Sequence, residues 1–251
     1  MSILSNGTNA KTLKSDLSNI VKEFLEDYEK ALTGIVYLAP ASISGKNVCG
    51  SSSPACRKAC LYSAGRGRMS NVQKGRLRKT MLFLKARKEY FLQLNKDIEK
   101  LKRKSVKNNA LTCIRLNGTS DLPYQNIKQG ENNQSIMHDH KDVQFYDYTK
   151  DWNRKPKTSN YHLTYSKSEM HTESEVQEMV AKGNNVAVVF RDKLPKTYAG
   201  HTVFNGDETD LRFLDPKGVV VGLKAKGEAK KDVSGFVVDY EENGERKSIT
   251  I

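Results

Sequence analysis

Leu111-Thr-Cys-Ile-Arg-Leu116, Val143-Gln-Phe-Tyr-Asp-Tyr148, Tyr161-His-Leu-Thr-Tyr165 and Val186-Ala-Val-Val-Phe190 are short runs rich in β-branched and aromatic residues. They read as successive strands. Polar or helical connections separate them, such as Ser174 to Lys182 before Gly183. Strands that alternate with helical connections build a largely parallel sheet covered by helices. The chain is therefore predicted to be α/β, with a complete or partial TIM-barrel-like sheet. Further short strands are expected at Ile35-Val-Tyr-Leu38, Thr202-Val-Phe204, Val219-Val-Val221, Gly235-Phe-Val-Val238 and Ser248-Ile-Thr-Ile251.

Working outward, residues 1–12 are polar and read as a flexible start. Residues 13–32 carry Leu13, Leu17, Ile20, Val21, Phe24, Leu25 and Tyr28 at three- and four-residue steps, the period of an amphipathic helix that Gly34 would stop. Residues 41–70 are a Ser-, Gly- and Cys-rich loop. From about Val72 to Lys104 an apolar stripe of Leu77, Met81, Leu84, Tyr90, Phe91, Leu94, Ile98 and Leu101 predicts one long helix with a basic outer face. Residues 125–141 read as an excursion loop. With neither linker nor repeat in view, residues 1–251 are expected to form a single domain.

The chain has 251 residues, 37% of them hydrophobic, and a mean hydropathy of −0.65. Its apolar runs fall far short of the roughly 20 residues a membrane span needs, so no membrane association is expected. The start lacks the basic and apolar regions of a secretory signal, which points to the cytoplasm. The charge is concentrated. Between Arg57 and Lys104 stand sixteen basic and three acidic residues, an excess of +13 that equals the net charge of the whole chain. Such a field attracts polyanions, and phosphate contacts would make binding salt-dependent. The Arg57–Lys104 segment is thus a candidate nucleic-acid surface, and equally a solvated helix face.

All four cysteines belong to one pattern. Cys49, Cys56 and Cys60 lie in Cys49-Gly-Ser-Ser-Ser-Pro-Ala-Cys56-Arg-Lys-Ala-Cys60, and Cys113 is on a predicted strand. Cys56 and Cys60 are one helical turn apart. Alternation along the strand puts Cys113 on one face with Arg115 and Asn117. In a reducing compartment four such cysteines suggest a metal or cluster. Irregular gaps suit a [4Fe-4S] cluster, whose irons are spread over several ångströms. Zinc on four thiolates is the alternative, and unligated thiols are the plain one. The radical-SAM spacing, with gaps of three and then two residues, is absent.

In α/β sheets ligands bind beyond the carboxyl ends of the strands. Arg115, Asp121, Asp147, Lys150 and Glu169 cluster there in the sequence and would form a mixed-charge pocket for a phosphate or polar substrate. Asp121, Asp147, Lys150 and Glu169 are the candidate catalytic residues; the bland reading makes them caps and turn residues. His138-Asp-His140 with Tyr146-x-x-x-Lys150 also has the look of a nickase metal and nucleophile pair, at the wrong spacing.

The segments Cys49 to Cys60, Ala64-Gly65-Arg66-Gly67, Arg115-Leu-Asn-Gly-Thr-Ser-Asp121, Phe145-Tyr-Asp-Tyr-Thr-Lys150, Asn160-Tyr-His-Leu-Thr-Tyr-Ser166 and Asp210-Leu-Arg-Phe-Leu-Asp-Pro216 resemble the gene-product-eighty-eight-like family of phage and plasmid proteins. The resemblance spans roughly residues 35–238. It implies a mobile-element origin, a host-cell cytoplasm, a cysteine-bound cluster and a distant likeness to radical-SAM barrels. The expectation is a phage-type iron–sulfur protein with Cys49, Cys56, Cys60 and Cys113 as ligands, Arg115 beside them and a basic surface for nucleic acid. The alternatives are a nucleic-acid or nucleotide-processing enzyme that uses the strand-end residues, or a zinc-stabilised module that binds a host protein.

Overall fold

The structure, a computed structural model, describes residues 1–7, 12 and 27–240. Its strands are β1 (Leu4–Asn6), β2 (Lys30–Val36), β3 (Ala110–Arg115), β4 (Gln144–Thr149), β5 (Tyr161–Ser166), β6 (Val186–Phe190), β7 (Thr197–Tyr198), β8 (His201–Asn205), β9 (Val220–Lys224) and β10 (Val237–Val238). They join in one ten-stranded sheet of order β1-β2-β3-β4-β5-β6-β9-β8-β7, with β10 beside β6. All pairings from β2 to β8 are parallel; β1 and β7 add antiparallel edges. The α/β expectation holds at this level. The sheet is open: β1 and β7 end it without meeting, so it is not a closed barrel.

The order β2-β3-β4-β5-β6 follows the chain in one direction. Right-handed crossovers then place the connecting helices on one face. That face carries the main core, where Val36, Ile114, Leu116, Phe145 and Leu163 meet Phe83, Tyr90, Phe91, Leu94 and Ile98. The other face is crossed by residues 206–218, whose Leu211 and Phe213 pack on Cys113, Tyr146 and Ala31.

The helices are α1 (Pro54–Lys58), α2 (Ser70–Lys85), α3 (Arg87–Lys107), α4 (Ile136–Asp139) and α5 (Glu173–Ala181). The expected long basic helix is two. At Ala86 the backbone leaves helical dihedrals (φ −138°, ψ 63°), and Phe83 meets Tyr90 edge to face across the break, with centroids 5.2 Å apart. The apolar stripe runs on through the break, which is why periodicity missed it. Stretch 41–70 holds α1 and two short 3₁₀ turns within its loop.

The amino end also differs. β2 begins at Lys30 and runs through Gly34, so residues 30–32 are strand and the glycine stops nothing. The rest of the helix expected over 13–32 lies outside the described residues at 13–26, as does the strand at 248–251. Residues 1–7 are built in: Ile3 is fully buried and its N–H donates to Asp97, while Lys79 Nζ donates to Ile3 O at 2.8 Å. Among the described residues, no helix is long and apolar enough to cross a membrane.

Leu94 stands mid-way along α3 with no exposed surface. Leu94→Ala leaves a cavity between helix and sheet and is expected to cost about 2–5 kcal/mol. The check is urea unfolding of both proteins; an unchanged midpoint would mean that α3 does not anchor the sheet.

Candidate functional site: a thiol loop over the sheet end

The loop cysteines are brought over the carboxyl ends of β3 to β5. Cys49 accepts a hydrogen bond from Ala41 N–H (3.3 Å) and its S–H points to Thr119 O (3.8 Å). Cys60 accepts from Tyr62 N–H at 3.5 Å. Cys56 lies on α1, where the Ser53 hydroxyl caps its N–H. The three feel one another's charge. Burial pushes the Cys49 thiol up to about 11, with Cys60, Asp121 and Cys56 adding to the rise. Burial raises Cys56 and Cys60 too, while Lys150 draws both back, joined at Cys60 by Arg76.

Two carboxylates fasten this loop. Glu169 accepts from the Ser53 hydroxyl (2.6 Å) and from Ala55 N–H (3.0 Å), which seats it on the first turn of α1. Asp121 accepts from the Thr149 hydroxyl (3.0 Å), Lys150 N–H (2.9 Å) and Arg154 Nη1 (2.7 Å), and its own N–H donates to Val48 O next to Cys49. Lys150 is half-buried, with Nζ donating to Ser166 Oγ (2.7 Å) and Lys167 O (3.0 Å). Burial lowers its pKa, opposed first by Cys56. Of the five residues expected to share a pocket, Asp121, Lys150 and Glu169 come together, and they do so beside Cys56.

Cys113, Arg115 and Asp147 stand elsewhere. Cys113 is fully buried on β3, two residues before Arg115 ends that strand. At about 3.3 Å per residue that is roughly 7 Å below the strand end. It packs on Tyr146 and Leu211 rather than on the loop, so the four sulfurs do not converge. Arg115 shares its face and pairs with Asp210 at 3.4 Å, under the Tyr148 ring. The expected third member, Asn117, lies past the end of β3 and joins the opposite side, where its N–H and Nδ2 donate to Asp147 at 2.7 and 3.1 Å. Asp147 also accepts from Tyr161 Oη. It is an internal brace rather than a pocket wall. Tyr146, fully buried with its hydroxyl on Asp210, is no exposed nucleophile. His138 bonds Ser135 and His140 bonds Asn95, so these histidines have separate partners.

Several residues of this region escaped the sequence reading. Gly118 lets the 117–121 turn lie flat on Tyr37: an added Cβ would sit 2.7 Å from the Tyr37 ring and from Ile35. Arg76, in the second turn of α2, points inward. Its guanidinium lies between the Tyr37 and Tyr62 rings, 4.9 and 5.4 Å from their centroids. Behind the sheet, Arg212 is fully buried and pairs with Asp215 at 3.1 Å. Helical period could have flagged Arg76, because it falls on the buried face of α2 with Thr80 and Phe83.

Among the described residues, no group of three or more His, Cys, Asp or Glu side chains forms a ready metal-ion cage. The strand-end carboxylates are already engaged, Asp121 with Lys150 N–H and Arg154 and Glu169 with the Ser53 hydroxyl and Ala55 N–H.

Two outcomes follow. Glu169→Ala removes the clasp on α1, costs about 1–2 kcal/mol, and should speed the reaction of Cys56 with an aromatic disulfide reagent; an unchanged rate would show that Glu169 does not hold the loop. Burial lifts the Asp147 carboxyl from 3.8 to about 7. The folded chain therefore holds this proton more tightly than the unfolded one. Its stabilising share is complete below pH 3.8 and is lost as pH rises through 7. Urea midpoints across that window should fall more steeply for the parent chain than for Asp147→Asn.

Neither a curated protein nor a solved structure matches the chain. A family model, Gene product 88, matches residues 2–240. It takes in the thiol loop, the strand ends that carry it and both arginine-bearing faces of the sheet, and the chain belongs to the Gene product 88 family.

Proposed function

We propose that this protein carries an iron–sulfur cluster on Cys49, Cys56 and Cys60, held over the carboxyl ends of its parallel strands. The observation that supports this most is that one loop carries three desolvated thiols, with Lys150 acting on Cys56 and Cys60, Arg76 acting on Cys60, and Cys49 and Cys60 accepting backbone N–H bonds. Burial keeps such thiols protonated until a cationic centre takes their protons. The nearby cations then offset the negative charge of the assembled site. With three protein ligands, a cubane cluster keeps one iron open to an exogenous ligand. This replaces the four-cysteine arrangement with a three-cysteine one and leaves Cys113 to the core. The strand-end carboxylates serve the loop: Asp121 ties it to β4, and Glu169 caps α1.

Anaerobic reconstitution with iron and sulfide tests the reading. The parent chain should turn brown and hold about four irons. Cys56→Ser should lose most of both, and Cys113→Ala should keep both. A colourless chain, or loss on Cys113→Ala equal to that on Cys56→Ser, would overturn the three-cysteine site.

The outer face of α2 and α3 favours a second role. Lys74, Arg78, Lys85, Arg87, Lys88, Lys96, Lys100, Arg103 and Lys104 are all exposed there. We infer that this face binds a nucleic-acid backbone in the cytoplasm of a host cell. Affinity for a short duplex should then fall steeply with salt. Replacing Lys85, Lys88 and Lys96 by Gln should flatten the logarithmic salt slope by about one per lost phosphate contact; an unchanged slope would rule this face out.

A further inference from the structure

Arg76 is turned inward from the basic stretch, as is Lys79 of the same helix, but Lys79 Nζ bonds Ile3 O and Ser5 Oγ. Arg76 is only 9% exposed. Its Nε and Nη1 donors are both buried and have no hydrogen-bond partner. No ion pair accompanies it among the described residues; the charges it senses are the Tyr37, Cys60 and Tyr62 groups. A guanidinium that is desolvated and left without a carboxylate is a costly feature. The aromatic rings on either side fix its plane, so its donors are held in one direction rather than free to find water.

A planar fork of N–H donors matches a carboxylate or a phosphate, which it can grip through two parallel bonds. The surroundings suit such a guest. Tyr37 follows β2, and its ring faces both Arg76 and, electrostatically, Arg115. Arg115 also has an unpartnered buried Nε. Arg76 on α2 thus faces a tyrosine that follows β2 at the carboxyl end of the parallel strands, where open α/β sheets take their ligands. Tyr62 rides on the three-residue turn Leu61–Ser63 and is half-buried.

We propose that Arg76 is the anchor of an oxyanion-binding site beside the thiol loop, and that it receives the carboxylate or phosphate group of a small ligand between Tyr37 and Tyr62. The site does not require the iron–sulfur reading, because its donors are in place in the metal-free chain.

The test uses the full chain stripped of metal by a chelator, with chloride added to hold ionic strength constant. Thermal melting is followed while inorganic phosphate or succinate is titrated. The expected result is saturable stabilisation by at least one of the two, and the tighter one names the preferred group. Arg76→Gln should weaken it by about tenfold or more, and Arg76→Lys, which keeps the charge but loses the fork, should also weaken it. Lys141→Gln, exposed between α4 and β4, should leave it intact. Stabilisation that persists in both Arg76 variants, or is lost equally in Lys141→Gln, would assign the effect to general surface charge and overturn the site. No saturable effect from either anion would overturn it too. Should Arg76→Gln fail to fold, Arg76→Lys against the parent carries the comparison. Iron uptake, measured separately on the same variants, can fail without touching this result.

Discussion

Everything at the functional end of this molecule depends on two carboxylates that clamp a loop onto the end of a parallel sheet. Glu169, just past β5, bonds the first turn of α1, and Asp121, after β3, bonds both the start of the 150s loop and Arg154. Parallel strands end together and present unpaired polar backbone in one place. The loop from 41 to 70 covers that end, and the clamps set where its thiols come to rest. Each clamp joins residues far apart in the chain, so the site exists only when the sheet has formed.

The charge economy is consistent with that design. Thiols that burial keeps protonated, a lysine whose pKa burial lowers and an unpartnered arginine share one small region. In the empty chain these groups are held at an energetic disadvantage. An anionic guest, whether an inorganic cluster on the thiols or an oxyanion on Arg76, would relieve it. Lys150 and Arg76 lie close enough to Cys60 for one guest to alter the other's binding.

The legible parts of the fold were those with local signals. Alternating β-branched and aromatic runs marked β3 to β6, and the connection expected as helical from Ser174 to Lys182 is α5, Glu173–Ala181. The misread parts were those in which local pattern and tertiary demand conflict. Gly34 looks like a helix stop, yet it is strand because its missing side chain admits Leu4 and Leu101. The stripe from Leu77 to Leu101 is continuous, yet a single non-helical residue at Ala86 divides it. Openness of the sheet is a matter of how its edges end, which no single segment encodes.

For the site, sequence by itself determined that three cysteines lie within one short loop and that the chain's whole excess of positive charge falls in one segment. Both are properties of neighbours along the chain. Only the tertiary structure decided that Cys113 belongs to the core, that Asn117 turns to Asp147, and that Arg76 points inward between Tyr37 and Tyr62. Alternation and helical period report the direction of a side chain relative to its own element. What lies in that direction is set by packing between distant elements, and there Leu211 and Tyr146 enclose the Cys113 side chain in the core.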